Sequence, residues 1–132
     1  MTPTNIASLD ITIAVIGLID MKSHNFIELG KTSAWNFQQG SMLQWHPYDS
    51  DKIIYNIRQN EGYHGIVQDI KAGTKKILDL PVASVDPTGK FALSVNFCRM
   101  YDFRPGYGYA GITDEYKDVM APKDDGIFLI DL

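Results

Sequence analysis

Apolar and polar positions alternate in short bursts along this chain, and clusters of Gly, Pro, Asn and Asp separate the bursts. Residues 42–80 carry the clearest pattern. MLQWH leads to a turn at PYDSD, then KIIYNI, a short RQNEG link, YHGIVQDI, a turn at KAGT, and KKILDL. β-Branched and aromatic residues fill the bursts and turn formers fill the gaps, so the stretch predicts a four-strand antiparallel meander. Before it, a β-branched run over residues 12–21 ends in LIDM, and a KSHN turn leads to FIEL and Gly30. That reads as a hairpin. After it come a strand over residues 82–85, an Asp86-Pro87-Thr88-Gly89 turn with Pro and Gly where a type I turn prefers them, and a returning strand over residues 91–97. An irregular segment over residues 98–125 precedes a last strand over residues 126–132. Within it, residues 114–120 suit one or two helical turns stopped before Pro122. Residues 1–11 read as a flexible, polar lead-in.

These elements repeat. HPYDSDKIIYN aligns with DPTGKFALSVN, which places Pro47 opposite Pro87 and lets Lys52 and Lys90 each open the following strand. Asp20-Met21-Lys22 recurs as Asp69-Ile70-Lys71, and each Asp is followed nine residues later by a Leu, Leu29 or Leu78. A period near forty with four strands per unit is the signature of a β-propeller blade. The expected fold is therefore all-β, with four-stranded meander sheets arranged as consecutive blades of an incomplete ring. Residues 12–30 supply two strands of one blade, residues 31–80 a complete blade with its preceding loop, and residues 81–132 three strands of another, with an insertion at 98–125.

The P-x-G-K turn before a strand, the strand ending in Asp before a turn, and the forty-residue period resemble TolB-type propellers. The Trp-Asn-Phe-Gln-Gln-Gly and Arg-Pro-Gly-Tyr-Gly-Tyr loops are similar, more distantly, to oligogalacturonate-lyase-like propellers. The first resemblance implies a fold. The second implies a lyase acting on uronic-acid oligosaccharides, with Arg99, Arg104 or a nearby Tyr abstracting a proton or stabilising charge. Such lyases hold a divalent metal in a histidine cluster with a glutamine, and no cluster here matches it residue by residue. Outside that alternative no cofactor is expected.

Meander topology puts alternate connections at opposite ends of the sheets. The tight turns at 47–51, 71–75 and 86–89 fall at one end, and the connections at 31–41, 58–62 and 98–125 at the other. Functional side chains concentrate on loops held by a rigid scaffold. The second end offers Trp35, Asn36, Gln38, Gln39, Arg58, Asn60, Arg99, Tyr101, Arg104, Tyr107 and Tyr109 as candidate ligand-binding residues. Rings beside amides and guanidinium groups suit a sugar, whose CH faces stack and whose hydroxyls hydrogen-bond. Each has a structural counter-reading: Trp35 filling a gap between sheets, Tyr107 and Tyr109 packing the loop, and Arg99 and Arg104 pairing with Asp102, Asp114 or Asp118. A small polar, carbohydrate-like ligand is the leading expectation, and a protein-interaction platform is a third reading.

The remaining motifs point away from other chemistries. Gly106-Tyr-Gly108-Tyr-Ala-Gly111 spells G-x-G-x-x-G, but Pro105 precedes it and no strand-to-helix context surrounds it. His24 and His46 fall at the tight-turn end and His64 at the other, so they do not converge on a metal. Asp49, Asp51, Asp69, Asp86 and Asp131 recur at turns and strand ends, where Asp bonds its own backbone. A net charge of −4 and no Lys/Arg cluster give no electrostatic reason for nucleic acid. The longest apolar run, ITIAVIGLI, is too short for a membrane span and no basic segment precedes it, so no membrane partner and a cytoplasmic location are expected. The single Cys98 permits no intrachain disulfide. Unpaired strand edges near residues 12–21 and 127–132 predict self-association or pairing with further blades.

Overall fold

The structure is a computed structural model describing residues 12–132; the lead-in expected over residues 1–11 lies outside the described residues. Strands follow one another in chain order: β1 (Ala14–Ile19), β2 (Phe26–Thr32), β3 (Gln44–Trp45), β4 (Lys52–Gln59), β5 (Gly62–Asp69), β6 (Lys75–Ile77), β7 (Ser84–Val85), β8 (Phe91–Ser94) and β9 (Phe128–Asp131). They form three antiparallel sheets, β1-β2, β3-β4-β5-β6 and β7-β8-β9, in each of which spatial order equals sequence order. Among the described residues the fold is all-β apart from one short helix, α1 (Phe97–Phe103), and a 3-10 turn at Pro105–Tyr107. No helix among the described residues is long and apolar enough to cross a membrane.

Asp side chains close the tight hairpins as their turn chemistry requires. Asp69 Oδ1 accepts the backbone N–H groups of Lys71 (3.0 Å) and Ala72 (2.7 Å), and Asp49 Oδ1 accepts that of Asp51 at 3.0 Å. Asp86 accepts both the backbone N–H and the hydroxyl of Thr88. Asp20 does the same work between β1 and β2, bonding Lys22 N–H and the Ser23 hydroxyl.

The sheets stack in layers because strand side chains alternate between faces. On β4, Ile53 and Tyr55 face the first sheet and pack with Ile16 and Ile66, whereas Ile54 faces the third sheet and packs with Leu78, Val82 and Ala92. Two glycines allow this closeness. A Cβ on Gly30 would sit 2.6 Å from the Tyr55 hydroxyl, and one on Gly65 would sit 2.8 Å from Val82 Cγ2. The central sheet is thus covered on both faces and each outer sheet on one.

Asn56, wholly buried on β4, ties the layers together. Its Nδ2 donates to the Val82 carbonyl (2.8 Å) and the Tyr109 hydroxyl (2.9 Å), and its Oδ1 accepts Val82 N–H at 2.7 Å. The Thr32 hydroxyl donates to its carbonyl at 2.7 Å, which joins the end of β2 to the same point.

Three local expectations are corrected. The returning strand expected over residues 91–97 stops at Ser94, and Phe97 opens α1, because the Asn96 side chain caps the helix by accepting Arg99 N–H at 3.0 Å. Residues 114–120 form no helix. They make isolated turns, Lys117 N–H to the Asp114 carbonyl and Val119 N–H to the Tyr116 carbonyl. The connection expected over residues 58–62 is a two-residue hairpin turn: Arg58 and Gln59 belong to β4, and Gln59 pairs with Gly62. Asn60 turns the chain at φ 55°, a left-handed conformation that Asn tolerates better than most residues.

Candidate functional site

The two ends of the stack differ in chemistry. At the tight-hairpin end, His46 Nδ1 accepts the N–H groups of Tyr48 (3.2 Å) and Asp49 (3.1 Å), and its ring lies against Gly89 of the next hairpin. At the other end, the β2–β3 loop, the β4–β5 turn and residues 95–127 meet. Asn36 Nδ2 donates to the Gly108 carbonyl at 3.3 Å, the Tyr63 hydroxyl donates to the Ala110 carbonyl at 2.5 Å, and the Arg58 guanidinium lies over Gly111.

A buried polar network shapes the insertion. Asn96 Nδ2 donates to Asp114 Oδ1 and Asp125 Oδ2, both at 2.9 Å. Asp114, its carboxylate fully buried, pairs with Arg99 Nη1 at 3.2 Å and accepts Tyr116 N–H at 3.1 Å. Burial would raise the Asp114 pKa, but these donors outweigh it and hold the carboxyl below its usual range. Arg99 spends its remaining donors on the carbonyls of Tyr116, Val119 and Met120. Gly108 passes so close to the Tyr101 backbone that a Cβ would collide with it.

Between this network and the central sheet lies a cleft of about 430 Å³. Leu80, Phe97, Ile112 and Phe128 give it apolar walls, Glu61, Glu115 and Asp124 supply exposed carboxylates, and the already bonded Asp114 and Asp125 lie behind them. No Lys, Arg or His lines it. Cys98 borders it as a dormant thiol, since burial and then the nearby Asp114 and Asp102 push its pKa up to about 11. Burial likewise raises the Tyr63 phenol far above its ordinary range. Such a cleft can grip CH surfaces and accept hydrogen bonds, and its electrostatics favour a neutral or cationic guest over an anion.

The residues expected to bind ligand divide into several groups. Trp35, Asn36 and Tyr101 line a smaller depression of about 80 Å³ together with Phe37, Pro105 and Gly106. Trp35 Nε1 donates to the Thr12 carbonyl at 2.6 Å, and its ring meets Phe37 edge-on at 4.9 Å. Gln38 is exposed above Gly106, and Gln39 and Asn60 are exposed on their turns. Arg104 covers the half-buried Tyr107 ring at 4.9 Å. Arg58 sits beside Gly111 and Tyr63 and lines neither concavity.

Three of the candidates are structural. Arg99 is consumed by Asp114 and backbone carbonyls, and Asn36 folds its own loop by accepting the N–H groups of Gln38 (3.1 Å) and Gln39 (2.7 Å). Tyr109 is a core residue: its ring stacks on Phe97 at 4.3 Å and meets Tyr63 edge-on at 5.1 Å. None of the eleven candidates lines the large cleft. The acid-rich DEYKD and KDD stretches of the insertion were the signal for its lining. Among the described residues, no three His, Cys, Asp or Glu side chains converge as metal ligands. The G-x-G-x-x-G letters fall on the 3-10 turn and its exit, preceded by α1 rather than a strand.

Comparison of the chain with models of protein families, with curated proteins and with solved structures finds no match.

Proposed function

We propose that the loop-bearing end of the stacked sheets binds a small polar ligand of carbohydrate type, neutral or cationic, in the carboxylate-lined cleft. The observation that carries this reading is the lining itself: apolar walls for CH faces, acceptors for hydroxyls, and no cation. The layered two-, four- and three-stranded meanders support reading the sheets as consecutive propeller blades of TolB type. A ligand site at one end of such a stack, where the loops converge, is where a propeller scaffold presents it. The uronate-lyase reading gains nothing from this cleft, whose carboxylates repel a uronate and whose Asp114 already holds the Arg99 guanidinium.

Amide-resolved NMR titration tests the proposal with glucose, galactose, cellobiose and maltotetraose, and with tri-galacturonate as the charge-reversed control. Neutral sugars are expected to shift resonances of Glu61, Thr113 and Phe128 saturably. Glu61→Gln with Glu115→Gln should weaken that binding roughly tenfold, the scale of one lost charge-assisted hydrogen bond. Shifts confined to Trp35, Phe37 and Tyr101, or a preference for tri-galacturonate, would overturn the assignment.

A further inference from the structure

The outer faces of the first and third sheets carry the same repeat positions that the central sheet buries. In the third sheet, Leu93 pairs with Ser84 and with Leu129; in the central sheet, Ile54 pairs with Gln44 and with Val67. Gln44 and Ser84 each stand three residues before the repeated prolines, Pro47 and Pro87, so Leu93 is the counterpart of Ile54 and Leu129 of Val67. Ile54 is 0% exposed beneath the third sheet, whereas Leu93 is 43% and Leu129 66% exposed.

The first sheet shows the converse. The Asp20–Asp69 repeat places Val15, Gly17 and Ile19 at the positions of His64, Ile66 and Gln68. Ile66 and Gln68 are buried on the central sheet, and Ile66 packs with Ile16 of the first sheet. Val15 and Ile19 lie bare, and the Phe26 ring, over Gly17, is 57% exposed. One outer face therefore has the character of a surface awaiting a following sheet, and the other that of a surface awaiting a preceding one.

We infer that these two faces fit each other, so that a second copy of this chain docks head to tail, its first sheet on the third sheet of its neighbour. The occupant follows from the repeat: within the chain, a face of the Leu93 kind is covered by a sheet of this same fold, and so is a face of the Val15 kind. A head-to-tail contact uses different surfaces on the two partners and propagates until it closes. The contact is independent of the ligand proposed for the cleft, which lies at the loop-bearing end and not on either outer face.

Sedimentation velocity tests this on the full chain and two variants, Val15→Lys and Leu93→Glu, each of which blocks one face. Wild type is expected to sediment as a species larger than one chain in a concentration-dependent way. Each variant alone should be monomeric. An equimolar mixture of the two should form a heterodimer and stop there, because each still carries the face the other lacks. Wild type remaining monomeric at high concentration would overturn the inference, as would self-dimers of either variant, which signal pairing of like faces. If either variant loses its thermal transition, Ile19→Lys and Leu129→Glu address the same two faces with the same expected outcomes.

Discussion

Asn56 does more for this molecule than any side chain near its clefts. Its amide satisfies both backbone polar groups of Val82 and the Tyr109 hydroxyl, all at fully buried positions. Each buried group left unpaired costs about 1–3 kcal/mol. Asn56→Leu is therefore expected to destabilise the protein by roughly 3–5 kcal/mol, measured by urea unfolding. A loss under about 1 kcal/mol would show that the network is dispensable. Tyr109 shows why single residues were hard to read. A tyrosine between Gly108 and Ala110 in an irregular segment has the sequence signature of an exposed ring, yet it stacks on Phe97, accepts a bond from Asn56 and is completely buried. Asn36 misleads in the same way, since its side chain is spent on loop backbone that no local pattern reveals, whereas Arg99 pairs with Asp114, one of the partners its sequence neighbourhood offered.

At the scale of elements, the hairpins were legible and the insertion was not. Runs of β-branched and aromatic residues bounded by Asp-led turns identify β4 and β5 directly, and because both faces of these strands are covered the apolar run is near-continuous rather than alternating. The helix α1 escapes notice because it is only seven residues long and has no acidic residue in its first turn. It exists through its Asn96 cap and through Phe97 packing on Tyr109. The partner that stabilises the insertion against α1 is Asp114, whose folded pKa is depressed. A depressed carboxylate contributes stability that is full above its ordinary value of 3.8 and is lost as pH falls through the folded value. Asp114→Asn is expected to lower stability at neutral pH by on the order of 3 kcal/mol, because it leaves Arg99 without its buried partner. The same variant should flatten the decline of stability as pH falls below the ordinary carboxyl value of 3.8. Thermal melts across that range check both, and an unchanged acid slope would assign the depression to other carboxylates.

Across the whole molecule, protection should follow the layers. The central sheet is covered on both faces, so the amides of β4 and β5 are expected to exchange slowest in hydrogen–deuterium exchange. β1 and β9, at the outside of the stack, should exchange earlier, and equal protection throughout would mean the layers open as one unit. Charge is also unevenly shared: carboxylates crowd the loop-bearing cleft, whereas Lys52, Lys75 and Lys76 border a depression near the tight hairpins.

The order in which strands pair has a consequence for how the chain is made. From β1 to β8 every partner in a sheet is the next strand along, so each hairpin can zip as soon as it emerges from the ribosome. β9 alone must reach back past residues 95–127 to find β8. Closing that span costs entropy that rises only slowly with length, but it cannot be recovered until the insertion has collapsed around Asn96. β9 is thus the latch of the third sheet, and a ribosome stalled before residue 128 would hold a chain in which that sheet is still open on one side.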